Sequence, residues 1–295
     1  MTPPPDLSAK GGRNEISDPL DRKSGGGVKL FQRIATSAAL IGLIVFSLFG
    51  VKGPFLFSVL TIFFIALALA EFFELFKKND IPVSSLFGLF MGVFIPWVVY
   101  MEFGATQSGE ILFLVLGCLF LFILKFFRDT ARSLVGISLT LLGILYISWF
   151  MSFLIKIRFL PDGAVWVAYL LAVTKAADIG AYVVGTPLGK HALIPHISPK
   201  KTVEGLVGGL AASVLTAHLL GRYLPLQFHP VHILLQGLLI GTVGQIGDLS
   251  ESMMKRFCGA KDSGRLLPGM GGVLDAVDSV LFTAPIFYFH LKIYL

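Results

Sequence analysis

From residue 34 onward the chain is a succession of apolar runs, each near the length that crosses a bilayer as a helix at ~1.5 Å per residue. The runs fall near 34–50, 54–73, 84–101, 110–124, 134–155, 163–185, 203–221, 231–250 and 273–291. A soluble fold has nowhere to hide this much apolar surface. The chain is 55% hydrophobic and only 14% charged, against a usual ~25% charged. The pattern therefore predicts an all-α, polytopic integral membrane protein of about nine transmembrane helices. It excludes a pair of soluble domains, a collagen-like rod and a disulfide scaffold. Cys118 and Cys258 have no metal-binding spacing and read as two unpaired thiols.

Residues 1–30 differ from the rest, being rich in Pro, Gly and charge. A segment of this composition lacks the apolar surface to order itself, and we read it as a disordered cytoplasmic tail. It is too long and too mixed in charge for the start of a cleaved signal peptide. Residues 31–160 then form an N-terminal set of transmembrane helices, and 161–295 a C-terminal transmembrane region that carries the chemistry.

Lys and Arg placement orients the chain. With the N-terminus cytoplasmic, the inside segments hold 18 basic residues and the outside segments 5, with Lys175 left within a span. The loops after the sixth and eighth runs then face the cytoplasm. The net charge of +6 follows from these inside-facing residues, and no nucleic-acid partner is needed to explain it.

The unusual charges gather late in the sequence. Glu71, Glu74, Lys77 and Lys78 near the end of the second run have spacings that favour local ion pairs. Arg128, Asp129 and Arg132 read as topology determinants at a lipid surface. Lys175 and Asp178, one turn apart in an apolar span, mark either a functional site or a structural i,i+3 pair. The following loop carries Lys190, Ser198, Lys200 and Lys201 before a helix that Ser198 or Thr202 would cap. Cations beside a helix start suit phosphate, although a basic inside loop also serves topology alone.

The densest feature spans residues 244–279. Asp248, Ser252 and Lys255 share one helical face, with Glu251 beside it, and Asp275 and Asp278 share a face at the start of the last run. Between them lie Arg256, Lys261, Asp262, Ser263 and Arg265, then the glycine-rich stretch Pro268-Gly269-Met270-Gly271-Gly272. Clustered carboxylates need a cation, and all-oxygen ligands suit Mg²⁺ rather than zinc. Lysines and backbone N–H groups in a glycine-rich turn suit phosphate. The chemical reading is a divalent-metal site for a nucleotide or pyrophosphate. The competing reading is a solvated loop with topology charges.

At these residues the chain resembles the phosphatidate cytidylyltransferases, the CDP-diacylglycerol synthases. The resemblance rests on Ser252, Lys255-Arg256, Lys261-Asp262, Gly264, Pro268-Gly269, Gly271-Gly272, Asp275 and Asp278. Two upstream blocks add Asp178, Gly180, Ala181 and Tyr182, then Gly189-Lys190, Ile197-Ser198-Pro199-Lys200-Lys201-Thr202 and Glu204-Gly205. Two positions depart: Met270 stands where the pattern has His, and Ala276 where it has Arg.

The resemblance implies transfer of CMP from CTP to phosphatidate, giving CDP-diacylglycerol and pyrophosphate, with Mg²⁺ and with room for a monovalent cation. It implies CTP, phosphatidate and the membrane as partners, leaves a homodimer open, and places the protein in a bacterial cytoplasmic (inner) membrane. Catalytic roles fall to Asp248, Lys255, Asp275 and Asp278. Metal binding falls first to Asp248 and Asp275, with Glu251, Asp262 and Asp278 behind them. Phosphate or substrate binding falls to Lys200, Lys201, Ser198, Ser252, Arg256, Lys261, Asp178 and the Gly271 and Gly272 N–H groups. Lys175 would line the cavity floor beside Asp178. The other readings are an inactive paralogue, favoured by Met270 and Ala276, another CTP-dependent lipid enzyme such as a polyprenol kinase, and an ion-coupled transporter.

Overall fold

A computed structural model describes residues 19–102, 109–126, 130–226, 228–269 and 271–294. Most of the sequence-read tail, Arg128, Asp129 and Met270 lie outside the described residues. The elements run α1 Pro19–Phe49, α2 Gly53–Lys77, α3 Ser85–Met101, α4 Gly109–Lys125, α5 Thr130–Gly143, a π-helical segment Ile144–Trp149, and α6 Phe150–Arg158. There follow α7 Gly163–Leu188, the strands β1 Ala192–Ile194 and β2 Ser198–Thr202, then α8 Val203–Gly221, α9 Pro230–Phe257 and α10 Val273–Tyr294. Helix α1 begins within the stretch read from sequence as the tail.

Every apolar run falls on a helix. Among the described residues, six helices are long and apolar enough to cross a membrane: Gly53–Lys77, Arg132–Arg158, Gly163–Leu188, Val203–Gly221, Pro230–Phe257 and Val273–Tyr294. Ile34–Phe49 and Ser85–Met101 are apolar but shorter. Helices α3 and α4 have 17 residues each, at the lower limit for a ~30 Å hydrocarbon layer.

The core is aromatic and joins the two halves of the chain. Phe72, Phe73, Phe76, Phe153, Trp166 and Phe287 are all buried in one cluster spanning α2, α6, α7 and α10. Where apolar lipid surrounds the helices, close backbone approach replaces the hydrophobic effect as the packing force, and small residues permit it. Helices α7 and α8 show this. A Cβ built on Gly180 would lie 2.4 Å from the Ala212 Cβ and 2.7 Å from the Gly208 carbonyl oxygen. A Cβ on Gly209 would lie 2.8 Å from the Ala177 carbonyl oxygen.

Strands β1 and β2 form an antiparallel hairpin between α7 and α8, pairing Ala192 with Thr202 and Ile194 with Ser198. Thr202 caps α8 by accepting the Gly205 N–H at 3.1 Å, whereas Ser198 lies in β2 and does not cap it. Glu204, in the first turn of α8, accepts the Lys190 and His191 N–H groups at 3.0 and 3.3 Å, which ties the hairpin to the helix. The hairpin thereby lies against the far end of α9.

Candidate active site

The last turns of α9 and the first turns of α10 meet at one end of the bundle. Gly247 allows the approach: a Cβ there would lie 2.5 Å from the Asp278 carbonyl oxygen. At this junction Asp248, Glu251 and Asp278 each offer a carboxylate oxygen, and these oxygens lie within 4.8 Å of one another. Glu251 is fully buried and Asp278 nearly so, while Asp248 is half-buried. Ser252 donates to Asp248 at 3.5 Å, at the long limit for such a bond.

Three lysines reach into this acidic ground. Lys255 forms an i,i+4 ion pair with Glu251 and donates to Asp275 Oδ1 at 2.6 Å, so it joins α9 to α10. Lys201, on β2, lies 2.7 Å from Asp248 Oδ2. Lys175, on α7, donates to Asp178 Oδ2, to Ser279 Oγ and to the Ala276 carbonyl, each at 3.0 Å. Ser279 donates its hydroxyl to Asp178 at 2.9 Å. The sequence left Lys175 and Asp178 open between a local pair and a site; they form the pair, and the pair is also bonded to α10 beside the acidic group.

Asp275 is committed on both oxygens. Its Oδ1 takes Lys255, and its Oδ2 accepts the Gly272 N–H at 2.7 Å, the Ser263 hydroxyl at 2.9 Å and the Ser263 N–H at 3.0 Å. The sequence put Asp275 beside Asp248 as a leading metal ligand. The structure instead groups Asp248 with Glu251 and Asp278, and gives Asp275 the loop and Lys255. One helical turn separates Asp275 from Asp278, so neighbouring points of a single face meet different partners.

The glycine-rich turn closes on itself. Leu267 and Gly271 exchange N–H···O bonds of 2.9 and 3.1 Å, with Gly269 and Gly271 at φ values of 77° and 102° that favour glycine. The Gly271 N–H is thus taken by Leu267, and the Gly272 N–H by Asp275. Both N–H groups, read from sequence as phosphate donors, make intrachain bonds here. Arg256 likewise donates to two backbone carbonyls, Ile197 at 3.1 Å and Ala260 at 3.0 Å, clasping the hairpin to the loop. Lys200, Lys261 and Asp262 are exposed around the rim, and Asp262 stands outside the acidic trio. Ser198 is half-buried in β2.

Three contributors were not singled out for the site by sequence. Ser263 is buried and bonds Asp275. Tyr146, on the π-helical segment, is buried with no hydrogen-bond partner on its hydroxyl among the described residues, within electrostatic reach of Asp278, Glu251 and Asp248. Glu71, on α2, is buried beneath the loop. Tyr146 lies within an apolar run, and a π-helical insertion, which shifts the facing of side chains, carries no simple sequence signal. Both cysteines are free, and burial pushes the Cys258 thiol up from its ordinary range.

The residues present fit a hard divalent cation. The carboxylates of Asp178, Asp248, Glu251, Asp275, Asp278 and Glu71 outnumber the ammonium groups of Lys175, Lys201 and Lys255. Glu251 Oε1 is buried with no hydrogen-bond partner among the described residues, an arrangement that is costly unless something electropositive meets it. All the clustered donors are carboxylate oxygens, which suit Mg²⁺.

Fold and site together define an all-α integral membrane protein with a cluster of buried charges at one end of the α9–α10 pair. The chain belongs to the Cytidylyltransferase family, whose profile matches residues 31–294. It is 33% identical over 273 residues to a phosphatidate cytidylyltransferase of Bacillus subtilis, covering 90% of this chain and 99% of the relative. It is 35% identical over 293 residues to the phosphatidate cytidylyltransferase of Synechocystis, covering 90% and 97% of the two chains. A stretch of 157 residues is 38% identical to the uncharacterized protein YnbB of Escherichia coli, about half of each chain.

Proposed function

We propose that the protein is a phosphatidate cytidylyltransferase that transfers CMP from CTP to phosphatidate, releasing pyrophosphate, at the cytoplasmic face of a bacterial inner membrane. The observation that carries the chemistry is the convergence of Asp248, Glu251 and Asp278 within 4.8 Å, with Lys255 and Lys201 paired to two of them. The full-length similarity to named phosphatidate cytidylyltransferases supplies the substrates. The excess of basic residues on segments of one parity supports the cytoplasmic face.

The phosphatidate phosphate attacks the α-phosphorus of CTP, a P–O bond forms, and the bond to the β-phosphate oxygen breaks to release pyrophosphate. A phosphomonoester with a second pKa of roughly 6 is already largely dianionic at neutral pH, so no strong protein base is required. The task is to bring two anions together and to spread their charge. Asp248, Glu251 and Asp278 would hold Mg²⁺, which when bound neutralises phosphate charge and orients the triphosphate. Lys255 and Asp275 set the spacing of α9 and α10 around that group. Lys200 and Lys261, exposed on the hairpin and the loop, would meet phosphate oxygens at the rim. Lys201 holds Asp248 in position from β2.

The test uses purified full-length protein with phosphatidate and CTP labelled at the α or γ position, with and without Mg²⁺. Label entering lipid from the α position only, and only with the metal, is the expected result. Label entering from the γ position would make the protein a kinase instead. No transfer from either position would remove the assignment.

A further inference from the structure

The residue that ties the N-terminal half to the chemistry is Glu71, which the sequence offers only as a member of a group spaced for local ion pairs. Its neighbour Glu74 behaves in that way, pairing with Lys78 at 2.8 Å on an exposed surface. Glu71 does not. It is 5% exposed, and its Oε2 accepts the Leu274 N–H at 2.9 Å and stands 3.2 Å from the Ser263 hydroxyl.

These partners explain why a carboxylate stands here. Leu274 is in the first turn of α10, where N–H groups have no intrahelical acceptor. The residue before α10 is Gly272, which has no side chain to cap with. Glu71 provides the missing acceptor from 203 residues away in sequence, as an N-cap supplied in trans. The chain closes tightly over it at two glycines. A Cβ on Gly264 would lie 2.2 Å from Glu71 Oε1, and one on Gly272 would lie 2.4 Å from Oε2.

Ser263 is the link to the reacting end. Its hydroxyl has one proton and two carboxylates in range, Asp275 at 2.9 Å and Glu71 at 3.2 Å, while its N–H is given to Asp275. Asp275 in turn holds Lys255, which pairs with Glu251 of the acidic trio. We propose that Glu71 is a positioning residue for CMP transfer: it caps α10 and seats Ser263, so that Asp275 and Lys255 fix the acidic group. This rests on the proposed activity for its consequence, but the seating itself is read independently of turnover.

The experiment compares wild type, Glu71→Ala, Glu71→Gln, Glu71→Asp and the exposed control Glu74→Gln, all as full-length protein in phospholipid nanodiscs. Two readouts are taken: hydrogen exchange of peptides covering 261–276, and α-labelled CMP transfer. Glu71→Ala should speed exchange in that segment and lower transfer by roughly 10- to 100-fold, the usual cost of losing a supporting partner. Glu71→Gln keeps an acceptor of the same reach and should restore slow exchange, with transfer within about fivefold of wild type. Glu71→Asp keeps the charge but loses the reach and should behave like Glu71→Ala. Adding Ser263→Ala to Glu71→Ala should cost little more, because the two act in series. Wild-type exchange in Glu71→Ala, or Glu71→Asp outperforming Glu71→Gln, overturns the proposal. If wild type itself transfers no CMP, the proposed activity fails, while the exchange data still decide whether Glu71 seats the loop.

Discussion

The α9–α10 pair carries polar groups at both of its ends, and the two ends are built differently. At one end Tyr169 donates to Gln236 at 3.0 Å, Gln236 contacts His290 Nε2 at 2.8 Å, and Tyr294 contacts His232 at 3.2 Å. These groups can all be neutral, and they satisfy one another. At the other end stand Asp248, Glu251, Lys255, Asp275 and Asp278, where carboxylates outnumber ammonium groups among the described residues. Neutral hydrogen bonds suffice to hold two helices together in a membrane. Clustered buried carboxylates are costly for that purpose, and their gathering at this end supports the reading of a site for a charged ligand.

Substitutions at the two ends should therefore differ in kind. The largest effect is expected at the acidic trio. Asp278→Asn should lower CMP transfer by at least about 100-fold with membrane insertion unchanged, and a variant retaining full Mg²⁺-dependent transfer would remove Asp278 from the metal group. Lys255→Met comes next. It leaves Glu251 and Asp275 buried without their counter-charge, at a cost of about 3–5 kcal/mol. A melting curve in detergent should move down clearly, and an unshifted curve would mean that the pair is not compensating burial.

Gly247→Ala tests the approach of the two helices. The added methyl has to displace the Asp278 backbone, for about 1–3 kcal/mol, and transfer should fall with stability rather than independently of it. The smallest effect is expected at the neutral end. Gln236→Leu should change stability by only about 0.6 kcal/mol and leave transfer within about twofold. A loss of transfer there as large as that of Asp278→Asn would erase the distinction between the ends.

Much of the charged end was legible in sequence. The spacing of Asp248, Ser252 and Lys255 put them on one helical face, and Lys255 indeed reaches across it to the neighbouring helix. The trio itself was less legible. Glu251, read as lying beside that face, is fully buried within the site. Asp275 and Asp278, put on one face by their spacing with Asp275 the leading metal candidate, part company once the loop folds back: Asp275 is taken by Ser263, Gly272 and Lys255, and Asp278 joins Asp248. Periodicity fixes direction along one helix, and says nothing of which neighbour arrives. Arg256 shows the same limit. Its charge pointed to phosphate, and its guanidinium is used on the carbonyls of Ile197 and Ala260.

By itself the sequence determined the membrane class, the helical runs, the family pattern and the stretch in which the unusual charges gather. These depend on local quantities: apolar length, charge scarcity and the spacing of residues within a single element. The tertiary structure alone decided which carboxylates meet, which N–H groups are already spent, and that Glu71 of α2 caps α10. Those outcomes turn on contacts between segments up to 203 residues apart, whose distances are set by packing of α2, α6, α7 and α10 around one aromatic core.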